Sequence, residues 1–203
     1  MSSTQRSTAR HYWVALRAML VLTVALGVVY PLAITAVGQL AFPWQANGSP
    51  VAAAGTTVGS ALIGQSFTGE KGQPLAEWFQ PRPSAAGDGY DAAASSGSNW
   101  GPENPDLIDA IATRKAEIAA SDGVTPDSIP VDALTASASG LDPQISPANA
   151  LMQVERVAAA RGVSAQSVRT LVESKIQERD LGILGDPTVN VLQLNVALAE
   201  MDQ

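Results

Sequence analysis

The side chains that most often carry nucleophilic and acid–base chemistry are nearly missing from this chain of 203 residues: it has no cysteine, and its one histidine, His11, stands close to the N-terminus. Neither a Ser-His-Asp nor a Cys-His site can therefore be built from the long C-terminal part. A serine-lysine pair using Lys71, Lys115 or Lys175 has no motif around it. Asp88 with Asp91, and Asp106 with Asp109, offer oxygen ligands without the Asp-x-Asp-x-Asp-Gly spacing of a calcium loop, so solvated turn and helix-start carboxylates explain them better. No G-x-x-x-x-G-K-[ST] phosphate loop and no G-x-G-x-x-G is present. What remains suits structure or docking. Arg82, set between Pro81 and Pro83, is a fork of donors on a stiffened backbone that can grip a partner's carboxylate or carbonyl, or pair with an acidic residue of its own domain. Asn99, Asn190 and Asn195 carry amides able to satisfy buried backbone groups.

The elements that must position these residues begin with a membrane segment. Ala18 to Phe42 are 25 residues without a charged side chain, interrupted by Thr23, Tyr30, Thr35 and Gln39 alone among polar types. A helix of that length covers about 37 Å against roughly 30 Å of hydrocarbon, so it spans with tilt or a bend, and Pro31 is the expected bend. The run is too long for a signal h-region, although Val51-Ala52-Ala53-Ala54 contains an A-x-A pattern. Arg6, Arg10 and Arg17 precede the span and Lys71 is the first basic residue after it, which predicts a cytoplasmic N-terminus. Tyr12 and Trp13 on one side and Phe42 and Trp44 on the other form the expected interfacial belts. The predicted organisation is thus a basic flank over 1–17, a span over 18–42, a linker over 43–57 and an extracytoplasmic domain over 58–203.

That outer part holds nine basic residues against all 19 acidic ones, a formal charge of −10, which excludes nucleic-acid binding through a basic patch. Without disulfides its stability rests on one packed core. Thr57 to Phe67 and Trp78-Phe79 predict short strands, and Gln80 to Pro105 a long irregular segment of ordered turns. Three helices follow. The first presents Leu107, Ile108, Ile111 and Ile118; the second starts at Ser146-Pro147, ends at Arg161-Gly162 and presents Leu151, Val154, Val157 and Ala158. The third is capped by Ser164, presents Val168, Leu171, Val172 and Ile176, and ends near Gly182. Val189 to Leu198 is open between strand and helix. The fold class is therefore α+β: one transmembrane helix, then a mixed soluble domain.

These motifs, read in order, carry a resemblance. Gly59-Ser60-Ala61-Leu62-Ile63-Gly64-Gln65, Arg82-Pro83-Ser84, Ser96-Gly97-Ser98-Asn99-Trp100-Gly101-Pro102, the block Thr135 to Pro147 with Asp142 inside it, Gln153-Val154, Arg156-Val157-Ala158, Arg161-Gly162 and Val189-Asn190-Val191-Leu192 with Leu194-Asn195 resemble the C subunit of the Kdp potassium-transporting P-type ATPase. Gln144 stands where the family often has histidine, and Asp91 where it often has asparagine. The resemblance implies a non-catalytic accessory and assembly subunit in a bacterial inner-membrane pump. Its implied partners are a channel-like potassium-selecting subunit, a catalytic P-type ATPase subunit, a small single-span subunit and membrane lipid. ATP, Mg and K+ are then used by the complex, with no cofactor bound by this subunit. The family is described as raising the ATP affinity of the catalytic subunit in a chaperone-like way, and topology implies that such an effect passes through membrane helices. The acidic surface would attract potassium weakly. Arg82, Ser84, Asn99, Asp142, Asn190 and Asn195 are the candidate structural or partner-contact residues. The alternative reading is a membrane-anchored cell-envelope hydrolase.

Overall fold

A computed structural model describes Ser3 to Met201, with side chains from Thr8 onwards; Met1, Ser2, Asp202 and Gln203, at the ends of the expected flank and outer domain, lie outside the described residues, as does the side chain of Arg6. Two compact units result, Met1–Ser49 and Pro50–Gln203.

The first unit is almost wholly helical. α1 (Ser3–Val24) runs through a π-helical turn, Ala25–Val29, into α2 (Tyr30–Ala41), and Thr8–Ala41 is long and apolar enough to cross a membrane. The irregularity expected at Pro31 falls in the turn before it. A proline has no N–H to return to the preceding turn and its ring presses on that turn's carbonyl, and there Tyr30 N–H reaches back five residues to Ala25 O. Thr35 Oγ1 donates to Pro31 O at 2.8 Å. α3 (Pro43–Ala46) follows Phe42, which leaves helical geometry at φ −137°.

The predicted linker over 43–57 gives way to regular structure. Beyond α3, β1 (Pro50–Ala53) and β2 (Thr56–Ser60) pair antiparallel across Ala54-Gly55, both with positive φ, 48° and 79°. That is the two-residue turn whose twist suits a hairpin, but it is more often written with asparagine or aspartate in first place than with alanine. The expected strand at Trp78-Phe79 is absent: Trp78 lies in a bend and Phe79 in irregular backbone held by side chains, as described below.

The helices sit where their caps are. α4 (Pro105–Asp122) starts at Asn104, whose side chain accepts from Asp106 N–H, and stops at Gly123 in the left-handed region. Ile111 and Ile118 pack on Ile129, Ala133 and Leu134, the last two in α5 (Val131–Leu134), whereas Ile108 is exposed, one position off that face. The second predicted helix is two: α6 (Pro147–Met152), capped by Ser146, and α7 (Val154–Arg161), closed by Gly162 at φ 69°. The break falls at Gln153, whose side chain is turned to the domain's other backbone. α8 (Ala165–Ser174) begins at Ser164 as predicted but ends well before Gly182, because Ile176 leaves the helix for a sheet. There β3 (Gln144–Ile145), β5 (Thr188–Asn190) and β4 (Ile176–Gln177) lie in the order β3-β5-β4, all antiparallel, with Ile145 and Ile176 both opposite Val189. The ambiguous terminal stretch is both things: β5 up to Asn190, then α9 (Val191–Glu200).

The main core joins Phe79, Ile145, Val154, Val157, Val168, Val172, Val189, Leu194 and Leu198, drawn from the sheet, α7, α8, α9 and one irregular segment. Leu198→Ala is expected to destabilise the detergent-solubilised chain by about 2–5 kcal/mol in denaturant unfolding, since it opens a cavity in this core. Leu62→Ala, at a side chain 64 % exposed, should change it by less than about 0.5 kcal/mol.

Candidate functional site

The residues 135 to 143 form a backbone ribbon on which four separated segments converge. Ser137 N–H donates to Pro83 O and Ser96 N–H to Ser139 O, each at 3.0 Å, while Gly64 N–H donates to Leu141 O at 2.8 Å and Val191 N–H to Pro143 O at 3.0 Å. The long irregular segment from Gln80 is thus pinned along this ribbon. The approach leaves no room for side chains: a Cβ on Gly64 would sit 2.6 Å from Asp142 O, and one on Gly97 2.7 Å from Ala138 O.

Arg82 and Ser84 stand at the centre of the junction. Arg82 Nη1 donates to Asp142 Oδ2 at 3.0 Å, with both side chains about a quarter exposed, so the guanidinium finds its carboxylate within its own domain. Asp142 Oδ1 accepts from Gln144 N–H at 3.0 Å. Ser84 Oγ donates to Gly140 O at 2.6 Å and accepts from the N–H groups of Ala86 and Tyr90 at 3.1 and 2.9 Å. A hydroxyl held by three backbone groups serves as a local clamp. Tyr90, which the sequence did not single out, closes the ring: its hydroxyl donates to Arg82 O at 2.6 Å. Burial raises the Tyr90 phenol above its ordinary range, Asp142 adds to the rise and Arg82 opposes it.

Asn195 and Asn190 work elsewhere in the domain. Asn195, 1 % exposed, accepts from Phe79 N–H and donates to Phe79 O, both at 3.0 Å, which is the pairing a neighbouring strand would make. Asn190 donates to Ala61 O at 2.8 Å and caps α9 by accepting from Gln193 N–H at 3.0 Å. Asn99 departs from the expectation that it satisfies buried backbone. It is exposed, has φ 53° and donates locally to Gly97 O at 3.2 Å, because an asparagine in a tight turn tolerates the left-handed region and bonds to its own loop. Of the two departures from the family pattern, Gln144 donates to Gln177 at 3.2 Å, and Asp91 accepts from Ala93 N–H at 2.8 Å.

Two residues quoted among the motifs but not among the candidate site residues extend the clamp. Gln153 accepts from Gln80 N–H at 2.7 Å and donates to Gln80 O at 3.1 Å, repeating for residue 80 what Asn195 does for residue 79. Arg156 donates to Gln153 at 2.6 Å, to Ala76 O and Trp78 O, and to Asp122 at 2.8 Å, with both ionic side chains nearly buried. Their signal was the spacing of Gln153 and Arg156, which places them about one helical turn apart on the same side of the helix start. An open cleft of about 1050 Å³ lies over this clamp, lined by Arg82, Ser84, Tyr90, Arg114, Gln153 and Arg156 among others. Burial lowers the Arg114 guanidinium from its ordinary value, and Arg114 donates to Leu134 O at 2.8 Å.

Comparison with known proteins gives one family. The sequence pattern described as KdpC, K+-transporting ATPase, c chain, matches residues 12–200. A protein named Potassium-transporting ATPase KdpC subunit from Kineococcus radiotolerans is 55 % identical over 198 residues, 98 % of this chain and 97 % of the relative. Proteins of the same name from Mycobacterium bovis and Caulobacter vibrioides are 52 % identical over 185 residues and 54 % over 190, covering 91 and 93 % of this chain and 95 and 92 % of theirs.

Asn195→Ala strands two buried backbone groups of Phe79 and is expected to cost about 3 kcal/mol of unfolding free energy, measured by denaturant titration. Tyr90 predicts an alkaline limit. Its phenol ionises near pH 10 when unfolded and higher when folded, so its contribution is intact below pH 10 and declines above it by up to about 1.4 kcal/mol per pH unit. Tyr90→Phe should flatten that decline in unfolding curves taken between pH 9.5 and 11.

Proposed function

This chain belongs to the KdpC family of K+-transporting ATPase c chains, and from that premise we propose how it serves a potassium uptake pump. It acts as an accessory subunit of the P-type ATPase complex, joined to the other Kdp subunits, and performs no catalysis itself. Its helix packs beside the potassium-selecting channel-like subunit in the bacterial inner membrane, with the small single-span subunit and the catalytic subunit completing the assembly. Arg6, Arg10 and Arg17 hold the N-terminus in the cytoplasm, and the acidic domain stands outside. The 18–42 stretch is the portion within hydrocarbon, since α1 continues upstream through Arg17 and Arg10 toward the interface.

One observation carries this reading: side chains of the family motifs are spent on the domain's own backbone and on one another. Ser84 is tied to three main-chain groups, Asn195 and Gln153 to residues 79 and 80, and Arg82 to Asp142. Such chemistry builds a shaped rigid body, which is what an assembly subunit presents to its neighbours. A nucleophilic serine is instead hydrogen-bonded to a general base, and Ser84 Oγ is bonded to backbone groups. Any influence on ATP affinity then travels through the membrane helices to the cytoplasmic site, while ATP and Mg stay on the catalytic subunit and K+ on the selecting one.

A C-terminally tagged chain, solubilised in mild detergent from cells grown at limiting potassium, should co-elute with a many-span subunit and a P-type ATPase subunit. Protease added to spheroplasts should remove the domain beyond residue 50. Elution of the chain alone from membranes with active pump, or labelling of the outer domain by an ATP photoprobe in the complex, overturns the proposal.

A further inference from the structure

The connection between β4 and β5 carries three large apolar side chains into solvent. Leu181 is 89 % exposed, Ile183 76 % and Leu184 56 %, within a stretch of four residues. Solitary exposed leucines are ordinary; three on one tight turn are a patch. The turn beneath them is built. Asp180 and Leu184 exchange both backbone hydrogen bonds, at 3.0 and 2.9 Å, Gly182 N–H donates to Arg179 O at 3.0 Å, and Ile183 N–H to Asp180 O at 3.2 Å. Arg179 Nη2 lies 2.7 Å from Asp186 Oδ1 across the base. Leu181 itself holds φ 54°, a conformation costly for a γ-branched residue, and Gly182 and Gly185 also take positive φ. The fold thus spends backbone strain to present apolar side chains to water on a preordered turn, which is how binding anchors avoid the entropy cost of ordering on contact.

Charge and area decide what covers them. A segment that inserts into lipid is rimmed with lysine and arginine. This rim reads Glu178, Arg179, Asp180 and Asp186, with its one arginine already paired to Asp186, so an anionic bilayer surface repels it. Three side chains on one turn offer well under the roughly 800 Å² that each partner buries in a stable interface, which is too little for a lasting dimer of this chain. It suffices as a second point of attachment for a chain already held to its complex by a membrane helix, because linkage raises the effective concentration of the second contact.

We propose that the turn 179–186 is a plug: Leu181, Ile183 and Leu184 enter an apolar pocket on the surface of another protein subunit of the transport complex, on the side of the membrane that holds this domain. The proposal rests on the subunit reading above and adds to it a contact separate from the span. The binding side chains are apolar, so the contact persists at high salt, unlike one made by the acidic surface.

The test uses the assembled complex. With a benzophenone amino acid at Ile183, illumination of native membranes should yield one adduct with a many-span subunit, and the same probe at exposed Val131 on the domain's other cluster should not give that adduct. Leu181→Ser with Ile183→Ser should speed loss of the chain from the detergent-solubilised complex roughly tenfold or more, unchanged between 0.1 and 1 M salt, with the melting transition of the purified chain unaltered. Adducts with lipid alone, adducts between two copies of this chain, or no adduct in a complex that otherwise co-elutes overturn the plug and leave the subunit reading standing. Failure of the unmodified chain to co-elute with any partner overturns both.

Discussion

The soluble unit depends on one constraint: a buried backbone must be hydrogen-bonded, and the segments that fill its centre have no strand beside them. Phe79 is fully buried and Gln80 half-buried, in irregular backbone without a sheet partner. Asn195 and Gln153 each give one carbonyl oxygen and one amide N–H to a single residue, so two side chains from α9 and from the α6–α7 break do the work of two rungs of a ladder. The arrangement fixes the helices as well as the segment. If α9 turned about its axis, or the α6–α7 break straightened, the amides would leave Phe79 and Gln80 unpaired in the core.

From that clamp outwards the domain hardens in steps. Gln153 is itself gripped by Arg156, which reaches across to Asp122 at the end of α4 and so ties the second apolar cluster to the first. Gln80 leads directly to Arg82, whose bond to Asp142 fastens the irregular segment to the 135–143 ribbon. Asp132 then holds the far end of the ribbon by accepting from the N–H and hydroxyl of Ser146 at 2.8 Å each and from Asn149 at 3.1 Å. Removing one partner from such a chain of polar contacts costs more than its own bond, because the remaining group is left buried and unpaired. A surface displayed on this frame keeps its shape, which matters more to an assembly subunit than to an enzyme that must open.

How much of this was legible follows from the range of each interaction. Ser146 and Ser164 bond to N–H groups three residues on, so those helix starts stood in the sequence itself. The strands did not, because β3 and β4 are two residues each and exist only by pairing with β5, between 11 and 46 residues away in the chain. β2 overlaps the stretch from Thr57 read as strand, but β1 and the turn hid in a stretch that composition marks as linker, since Ala54-Gly55 lacks the asparagine that usually announces such a turn. Arg82 was legible by type, a rigid fork needing an acceptor, while its partner lay 60 residues on. Asn190 and Asn195 bond to buried backbone groups, whereas Asn99 sits in a local turn that residue type alone cannot separate from a buried one. The subunit's role was legible only through the ordered series of motifs, because no side chain in them performs chemistry that would announce itself.

The membrane helix poses the complementary problem, and its answer bears on the same role. In hydrocarbon no water is available to a backbone group whose helical partner is missing, so an interruption such as the π-turn at Ala25–Val29 before Pro31 is costly on a helix surrounded by lipid. Tyr30 recovers one bond to Ala25, and Thr35 folds its hydroxyl back onto Pro31 O, but a proline still withholds its N–H. Proline is tolerated in a span where neighbouring helices, Ser/Thr hydroxyls or a local π adjustment meet the freed groups, and this span supplies the last two itself. The span therefore differs from the turn 179–186: its π-turn and Thr35 meet part of the cost within the chain, whereas Leu181, Ile183 and Leu184 stay exposed to water.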